Sequence, residues 1–334
     1  MSTHVTPERI MQFAWGYAPP LIIRSALQLR VFDLLDASPR TIDEVARATG
    51  ASRRGLTAIL NALVGLQLLT RTNAHYSLTP DSAAFLVSTR PGYHGRFFDH
   101  TIDQILPKWL KLDEVVRTGK PAAAVNDQAQ GAEFFAGFVE SLFPMAYPAA
   151  RALGEHLGLA NARTPVRVLD LAAGSGVWGI ALAQQSTQVR VSAVDWPIVL
   201  ETTKRVAARH GVGDRLETIA GDLLQVDFGT GHNIAVLGQI LHSEGEKRSR
   251  QLIKKTFEAL APGGTIAVAE FTPNEERTGP PNALLFAVNM LVNTDEGDTF
   301  TFKEVSDWLI EAGFRNPRQL EAPGPSPLIL ATKP

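Results

Sequence analysis

The sequence predicts an α/β chain in which a doubly wound domain follows an N-terminal part that is all-helical apart from a small winged hairpin. Three observations predict it. From residue 165 onward, short apolar runs alternate with helical stretches, the pattern of a sheet whose strands are joined by helical crossovers. Residues 94–160 carry helical signals without strand signals. Between residues 41 and 80, the signals run helix, turn, helix, hairpin, a winged-helix order.

The N-terminal elements follow from local chemistry. Thr41 to Glu44 (TIDE) is a capping box before an apolar run, and the helix Ile42 to Thr49 stops at Gly50. Ser52 caps the next helix, whose apolar face is Leu56, Ile59, Leu60, Leu63 and Val64. Two short strands are expected at Leu66 to Thr70 and His75 to Leu78, joined by Thr72-Asn73-Ala74, and Thr79-Pro80 opens a further helix. In the helical middle, Gly119 to Gly131 is rich in Ala, Pro, Gln and Asn and reads as a surface loop. The alternating half predicts strands at Val166 to Leu171, Val189 to Val194, Leu216 to Ala220, Ile234 to Leu237, Thr265 to Phe271 and Pro327 to Thr332. Helices fall between them at about 177–185, 197–210 and 246–260. The sheet is expected to be parallel.

Bulk properties narrow the function. The 334 residues suffice for two domains, with 45% apolar and 20% charged residues. A net charge of -2 argues against binding polyanions by bulk attraction. With no cysteine, disulfides, thiolate nucleophiles and thiolate metal sites are excluded. The start lacks a basic segment followed by an apolar one, and no apolar run reaches the ~20 residues of a membrane span. A cytoplasmic protein with no membrane partner is expected.

The main chemical signal is VRVLDLAAGSGVWGIALA, residues 166–183. An apolar strand ends in Asp170, a small-residue turn follows, and a helix begins. Glycines let a ligand approach the backbone, and the carboxyl edge of an open α/β sheet is where ligands bind. Gly174, Gly176 and Gly179 match G-x-G-x-x-G, and the next strand ends in Asp195 beside Trp196. An acid there can accept from both ribose hydroxyls, so a nicotinamide dinucleotide remains as a rival ligand. A third strand end, Gly221-Asp222 followed by Leu223, can hold an adenine, carboxylate on the exocyclic amine and side chain on the ring face.

At this point the chain resembles the class I S-adenosylmethionine-dependent small-molecule O-methyltransferases with an N-terminal winged-helix dimerisation domain, such as the hydroxyindole, caffeate and bacterial polyketide O-methyltransferases. The resemblance covers nearly the whole chain. It rests on GLQLLTRTNAHYSLTP (65–80), VLDLAAGSG (168–176), VDWPIVLE (194–201), RLETIAGDLL (215–224), QILHS (239–243) and LAPGGTIAVAE (260–270). The resemblance implies S-adenosylmethionine as cofactor. Asp170, Gly174 and Gly176 would line its methionine part, Asp195 its ribose, and Asp222 with Leu223 its adenine. Gln239 stands where the family often has a basic residue. The implied organisation is a winged-helix dimerisation domain over 1–105, a helical connector contributing to the substrate pocket over 106–160, and a Rossmann-like catalytic domain over 161–334. A homodimer through the N-terminal domain is implied too.

Catalysis should rest on His242. It follows the strand ending at Leu237, hence lies at the ligand edge, and it falls on the family's catalytic histidine. Imidazole suits proton abstraction from a hydroxyl near neutral pH. Two departures stand out: Ser243 replaces the usual Asp, and Thr299 stands in place of a Glu that steadies the histidine. Asp298 or Glu244 could supply the carboxylate instead. The acceptor pocket is expected to be apolar and aromatic, drawn from Phe134, Phe138, Met145, Phe286, Asn289 and Met290. The same residues would equally serve as helix core. Trp178 could face the cofactor or the core. No metal-ligand spacing occurs, and His94 and His100 flank a Phe-rich helix, which suits packing. The leading reading is O-methylation of a small aromatic or polyketide-like metabolite. Alternatives are C- or N-methylation, a relative that has lost methyl transfer, and a winged-helix DNA-binding regulator using Arg47, Arg53, Arg54 and Arg71.

Overall fold

The computed structural model describes residues 5–123, 128–324 and 326–334; the side chains of residues 128–130, 132–134, 136 and 137 fall outside that description. The chain divides into two compact units, Met1–Pro107 and Lys108–Pro334.

The first unit is helical around a three-stranded sheet. Thr41 caps the helix Ile42–Thr49 with a reciprocal bond to Glu44, and Gly50 ends it in the left-handed region. Ser52 caps Arg53–Gly65 by accepting from the Gly55 amide. The strands are β1 (Arg40–Thr41), β2 (Leu69–Thr72) and β3 (His75–Leu78), in the order β1-β3-β2. The second strand lies three residues later than its sequence suggests at the start. Leu66 still belongs to the end of the preceding helix and Gln67 is left-handed. A two-residue turn sets the register, pairing Thr72 with His75, with Asn73 and Ala74 both at positive φ (49° and 69°). Val31, Phe32, Leu56, Leu60, Leu63 and Tyr76 form the core.

The second unit is built on a seven-stranded sheet of β4 (Val166–Leu171), β5 (Val189–Asp195), β6 (Leu216–Ala220), β7 (His232–Gly238), β8 (Leu260–Ala269), β9 (Arg315–Leu320) and β10 (Leu328–Thr332). The order is β6-β5-β4-β7-β8-β10-β9. β4 pairs in parallel with β5 and β7, and the reversal of strand order beside β4 makes a ligand crevice at the carboxyl edge. The sheet is mixed rather than wholly parallel, because β10 runs antiparallel to both β8 and β9. β9 was not foreseen. Its sequence RNPRQL is charged and carries a proline, features tolerated at a sheet edge. The central strands are buried on both faces, and two apolar layers flank them, one around Leu153, Ile180 and Val206, the other around Leu252, Ile253 and Trp308.

A long helix, Gln128–His156, precedes the sheet. It begins inside the stretch expected to be loop, so Gly131 is helical. No described helix is long and apolar enough to cross a membrane.

Ala74 sits in a region costing a β-carbon about 1–2 kcal/mol. Replacing it with Gly relieves that cost and loses part of it to unfolded-chain entropy. Ala74→Gly is expected to raise stability by roughly 0.5–1 kcal/mol in urea titration; a lower midpoint would contradict the turn geometry.

Candidate functional site

The carboxyl edge of the sheet opens into a cleft of about 1010 Å³, including its open mouth. Each strand end delivers one piece of it. After β4 the chain turns through Ala172 to Gly176, with Ala172, Gly174 and Gly176 at positive φ (54°, 57° and 76°). A β-carbon on Gly176 would stand 2.9 Å from Thr203 Cγ2, so the turn packs tightly on the helix Pro197–Arg209. The helix Val177–Ala183 starts directly behind it.

Asp195, at the end of β5, lines the cleft. Its two carboxylate oxygens accept from the Gly174 amide at 2.8 Å and the Trp196 amide at 2.7 Å. The side chain is thereby fixed with its remaining lone pairs available. Burial pushes its carboxyl up to about 6. Asp222, just past β6, also lines the cleft. It accepts from the Leu224 amide at 2.8 Å and from Arg248 Nη2 at 2.9 Å. Leu223 and Trp196 add apolar surface. Gln239, following β7, lies on the same wall at φ 61° and donates to Ser326 Oγ at 3.3 Å.

Asp170 and Gly176, expected at the methionine part of the cofactor, are not among the residues lining the cleft. Asp170 is fully buried in the central strand, where its Oδ2 accepts from the Gly179 amide at 2.8 Å. It anchors the helix behind the turn. Its Oδ1 has no partner among the described residues. Burial, with Asp195 nearby, pushes its carboxyl up to about 7.

His242 lies in the first turn of Leu241–Ala259, facing the cleft. Its carboxylate partner is Glu270, at the end of β8 and 1% exposed. Glu270 Oε2 accepts from His242 Nδ1 at 2.6 Å, while Oε1 accepts from the Leu241 amide at 2.7 Å and the His242 amide at 3.3 Å. A carboxylate only accepts, so the network assigns the proton to Nδ1 and leaves Nε2 with its lone pair. Neither substitute expected from sequence serves: Glu244 pairs with Arg248, and Asp298 lies near Arg277. Glu270 was missed although it ends the quoted LAPGGTIAVAE segment. The available signal was an acid at the end of an apolar run, as at Asp195.

The acceptor-side expectations fare unevenly. The Phe134 side chain lies outside the described residues. Phe138, Met145, Asn289 and Met290 do not line the cleft. Asn289 accepts from Trp109 Nε1 at 3.0 Å, and Met290 is buried in its helix face. The long helix instead presents Phe135, Val139, Leu142 and Ala146. This i, i+4, i+7, i+11 stripe is one helix face, rotated from the residues chosen. Phe286 is off the cleft wall but meets the His242 ring edge-to-face at 4.9 Å and stacks on Phe271 at 4.1 Å. Trp178 faces the cleft from the core, its indole against Gly238, where a β-carbon would lie 2.1 Å from Nε1. No cluster of metal-ligating side chains occurs among the described residues.

The fit to an adenosyl sulfonium can be judged from these groups. Two fixed carboxylates suit a diol and an exocyclic amine, Leu223 and Trp196 suit a ring face, and the Gly174 turn admits close backbone approach. The donor set fits.

The Asp170 carboxyl gives a pH signature. Between about pH 4 and 7 the unfolded chain has lost this proton while the folded chain keeps it. Its stabilising contribution is therefore full below pH 4 and gone above pH 7. Asp170→Asn is expected to flatten the fall in stability of the unliganded protein across that window, by roughly 2–4 kcal/mol. Urea titrations at pH 5 and 8 with the same pH slope in both proteins would sink the assignment.

Comparison with known proteins agrees with this geometry. The O-methyltransferase dimerisation domain matches residues 11–88 and the O-methyltransferase domain matches residues 153–315. A 3-hydroxy-5-methyl-1-naphthoate 3-O-methyltransferase of Streptomyces sahachiroi is 29% identical, over 98% of this chain and 95% of its own. A tetracenomycin polyketide synthesis 8-O-methyl transferase of Streptomyces glaucescens is 28% identical, over 99% and 98%. Among solved structures, human N-acetylserotonin methyltransferase in complex with S-adenosylmethionine shares the fold, with a TM-score of 0.86 at 23% identity over 100% and 99% of the two chains. The order of domains, the strand-end acids and these matches lead to one conclusion: the chain belongs to the S-adenosylmethionine-dependent O-methyltransferases.

Proposed function

We propose that this enzyme methylates a hydroxyl of a small aromatic or polyketide-like metabolite, with His242 as general base. The observation that carries the reading is the 2.6 Å bond to the buried Glu270 from Nδ1 of His242, which lines the cleft. S-adenosylmethionine, when bound, supplies an electrophilic methyl with a good leaving group. Asp195 would hold its ribose, Asp222 and Leu223 its adenine, and the Gly174 turn with Gln239 its amino-acid end.

The chain's own residues then have two tasks. Glu270 holds the imidazole in the tautomer whose Nε2 accepts a proton, and its charge stabilises the imidazolium that forms. His242 takes the acceptor's hydroxyl proton as the oxygen becomes nucleophilic, a contribution of typically 10²–10⁴-fold. Phe286 stands against that ring with Phe271 stacked behind it, an aromatic surround that suits a flat acceptor. The naphthoate and polyketide acceptors named for the two Streptomyces relatives support this acceptor class.

A homodimer follows from the same reading. Ile10, Phe13 and Trp15 at the N-terminal helix are 72%, 73% and 64% exposed, within or next to the matched dimerisation segment. Such a cluster suits a buried contact with a second copy.

His242→Ala is expected to lower turnover by at least ~10² while retaining S-adenosylhomocysteine binding. Glu270→Gln, which can present an amide donor to Nδ1, should lose turnover comparably. Unchanged turnover in His242→Ala would reject the base. Asp195→Ala should weaken S-adenosylhomocysteine binding at least ~10-fold by calorimetry, since a hydrogen bond to a charged group contributes about 1.5–3 kcal/mol. Sedimentation equilibrium should give the mass of two chains; a monomer at micromolar concentration would contradict the dimer.

A further inference from the structure

The helix bearing His242 also brings Arg248 to the cleft wall. It breaks at Gly245 (φ 71°, ψ 168°), which separates a first turn, Leu241 to Glu244, from the regular helix beyond. Arg248 spans that break. Its Nε donates to Glu244 Oε2 in the first turn, and its Nη2 donates to Asp222 Oδ2 across the cleft wall at 2.9 Å. All three groups line the cleft. One turn-pair further on, Lys255 donates to the carbonyls of Leu223, at 2.9 Å, and Val226. It also sits over the Phe228 ring at 4.2 Å. Positions 248 and 255 are seven apart and share a helix face. The two cations thus grip the same loop in different ways: Lys255 holds its backbone, and Arg248 holds the carboxylate that its first residue presents.

We propose that Arg248 is a positioning residue that aims the Asp222 carboxylate at the adenine amine and ties that subsite to the turn carrying His242. The proposal rests on the adenine reading of Asp222. Asp222 receives the Leu224 amide on Oδ1 and Arg248 on Oδ2, so its plane is set by two donors and its remaining lone pairs have one direction to face. Without Arg248 the carboxylate keeps one donor and can rotate. Guanidinium geometry matters, because a single ammonium cannot reach both carboxylates in the same fork. Glu244 is largely buried, and its carboxylate would lose its cation with the arginine.

The test compares two ligands, S-adenosylhomocysteine and S-inosylhomocysteine, in which a carbonyl oxygen replaces the adenine amine. Calorimetry reads the affinity ratio. The wild-type protein is expected to favour the adenosyl form by at least ~10-fold, as befits a charge-assisted hydrogen bond replaced by opposed acceptors. In Arg248→Met the ratio should shrink to within ~3-fold. Because methionine leaves Glu244 buried without its cation, the neutral pair Glu244→Gln with Arg248→Met is measured alongside. Arg248→Lys should recover only part of the ratio. A general loosening of structure would weaken both ligands together and leave their ratio intact. A wild-type ratio near one would overturn the Asp222 reading and this proposal with it. A wild-type preference preserved in the neutral double variant would overturn the Arg248 proposal alone.

Discussion

The Glu270 carboxylate is the contact on which the reactive end of the cleft depends. It is buried at the end of a central strand, a place where an ionised group is costly unless several donors meet it. Three do: two amides at the start of the helix that precedes its strand and the His242 ring. One acid therefore fixes where the helix begins, which way the imidazole points and which nitrogen holds its proton. A helix N-terminus favours a negative charge at that position, so the helix start and the acid support each other. No second acid is needed to orient the ring in this arrangement. Thr299 is buried, 1% exposed, and offers a hydroxyl rather than a charge.

The same construction recurs along the sheet edge. Asp195 holds two backbone amides, and Asp222 holds an amide and a guanidinium. Each acid is gripped on one side and left to accept on the other. That is preorganisation in its electrostatic form: the donors that would otherwise be water are already part of the fold. Asp170 is the contrast. It has one amide donor, an unpartnered oxygen and complete burial, and its carboxyl accordingly rises to about 7. Acids at strand ends thus differ in what they present to the cleft, and depth beneath the turn sets the difference.

That distinction explains what could and could not be read from the chain. Strand β4, the glycine turn and the acids at 195 and 222 were legible because apolar runs with terminal acids leave a strong local pattern. The fold class followed from alternation of such runs. For Asp170, pattern gives position along the strand but not its depth, which leaves it buried. Glu270 was overlooked because its partner is 28 residues away in sequence and meets it only when β7 and β8 lie side by side. The cleft-facing stripe of the long helix was missed for a different reason. Phe134, Phe135 and Phe138 are all apolar, and composition cannot set the rotation of a helix that is apolar on most sides. Strand β9 escaped because edge strands need no apolar alternation.

Gln239 shows the same dependence on contacts distant in sequence. It occupies a left-handed conformation that a side chain ordinarily avoids, at the end of the strand next to β4. Its amide bonds to the Ala269 carbonyl, at the end of the neighbouring strand, and its side chain bonds to Ser326. The strain is thus held by contacts to Ala269 and Ser326 rather than by local choice, and it leaves a neutral carboxamide on the cleft wall. With Arg248 already committed to two carboxylates, the charged side chains lining the cleft are dominated by acids. Such a wall favours a ligand that brings its own positive charge, which a sulfonium does and its neutral thioether product does not.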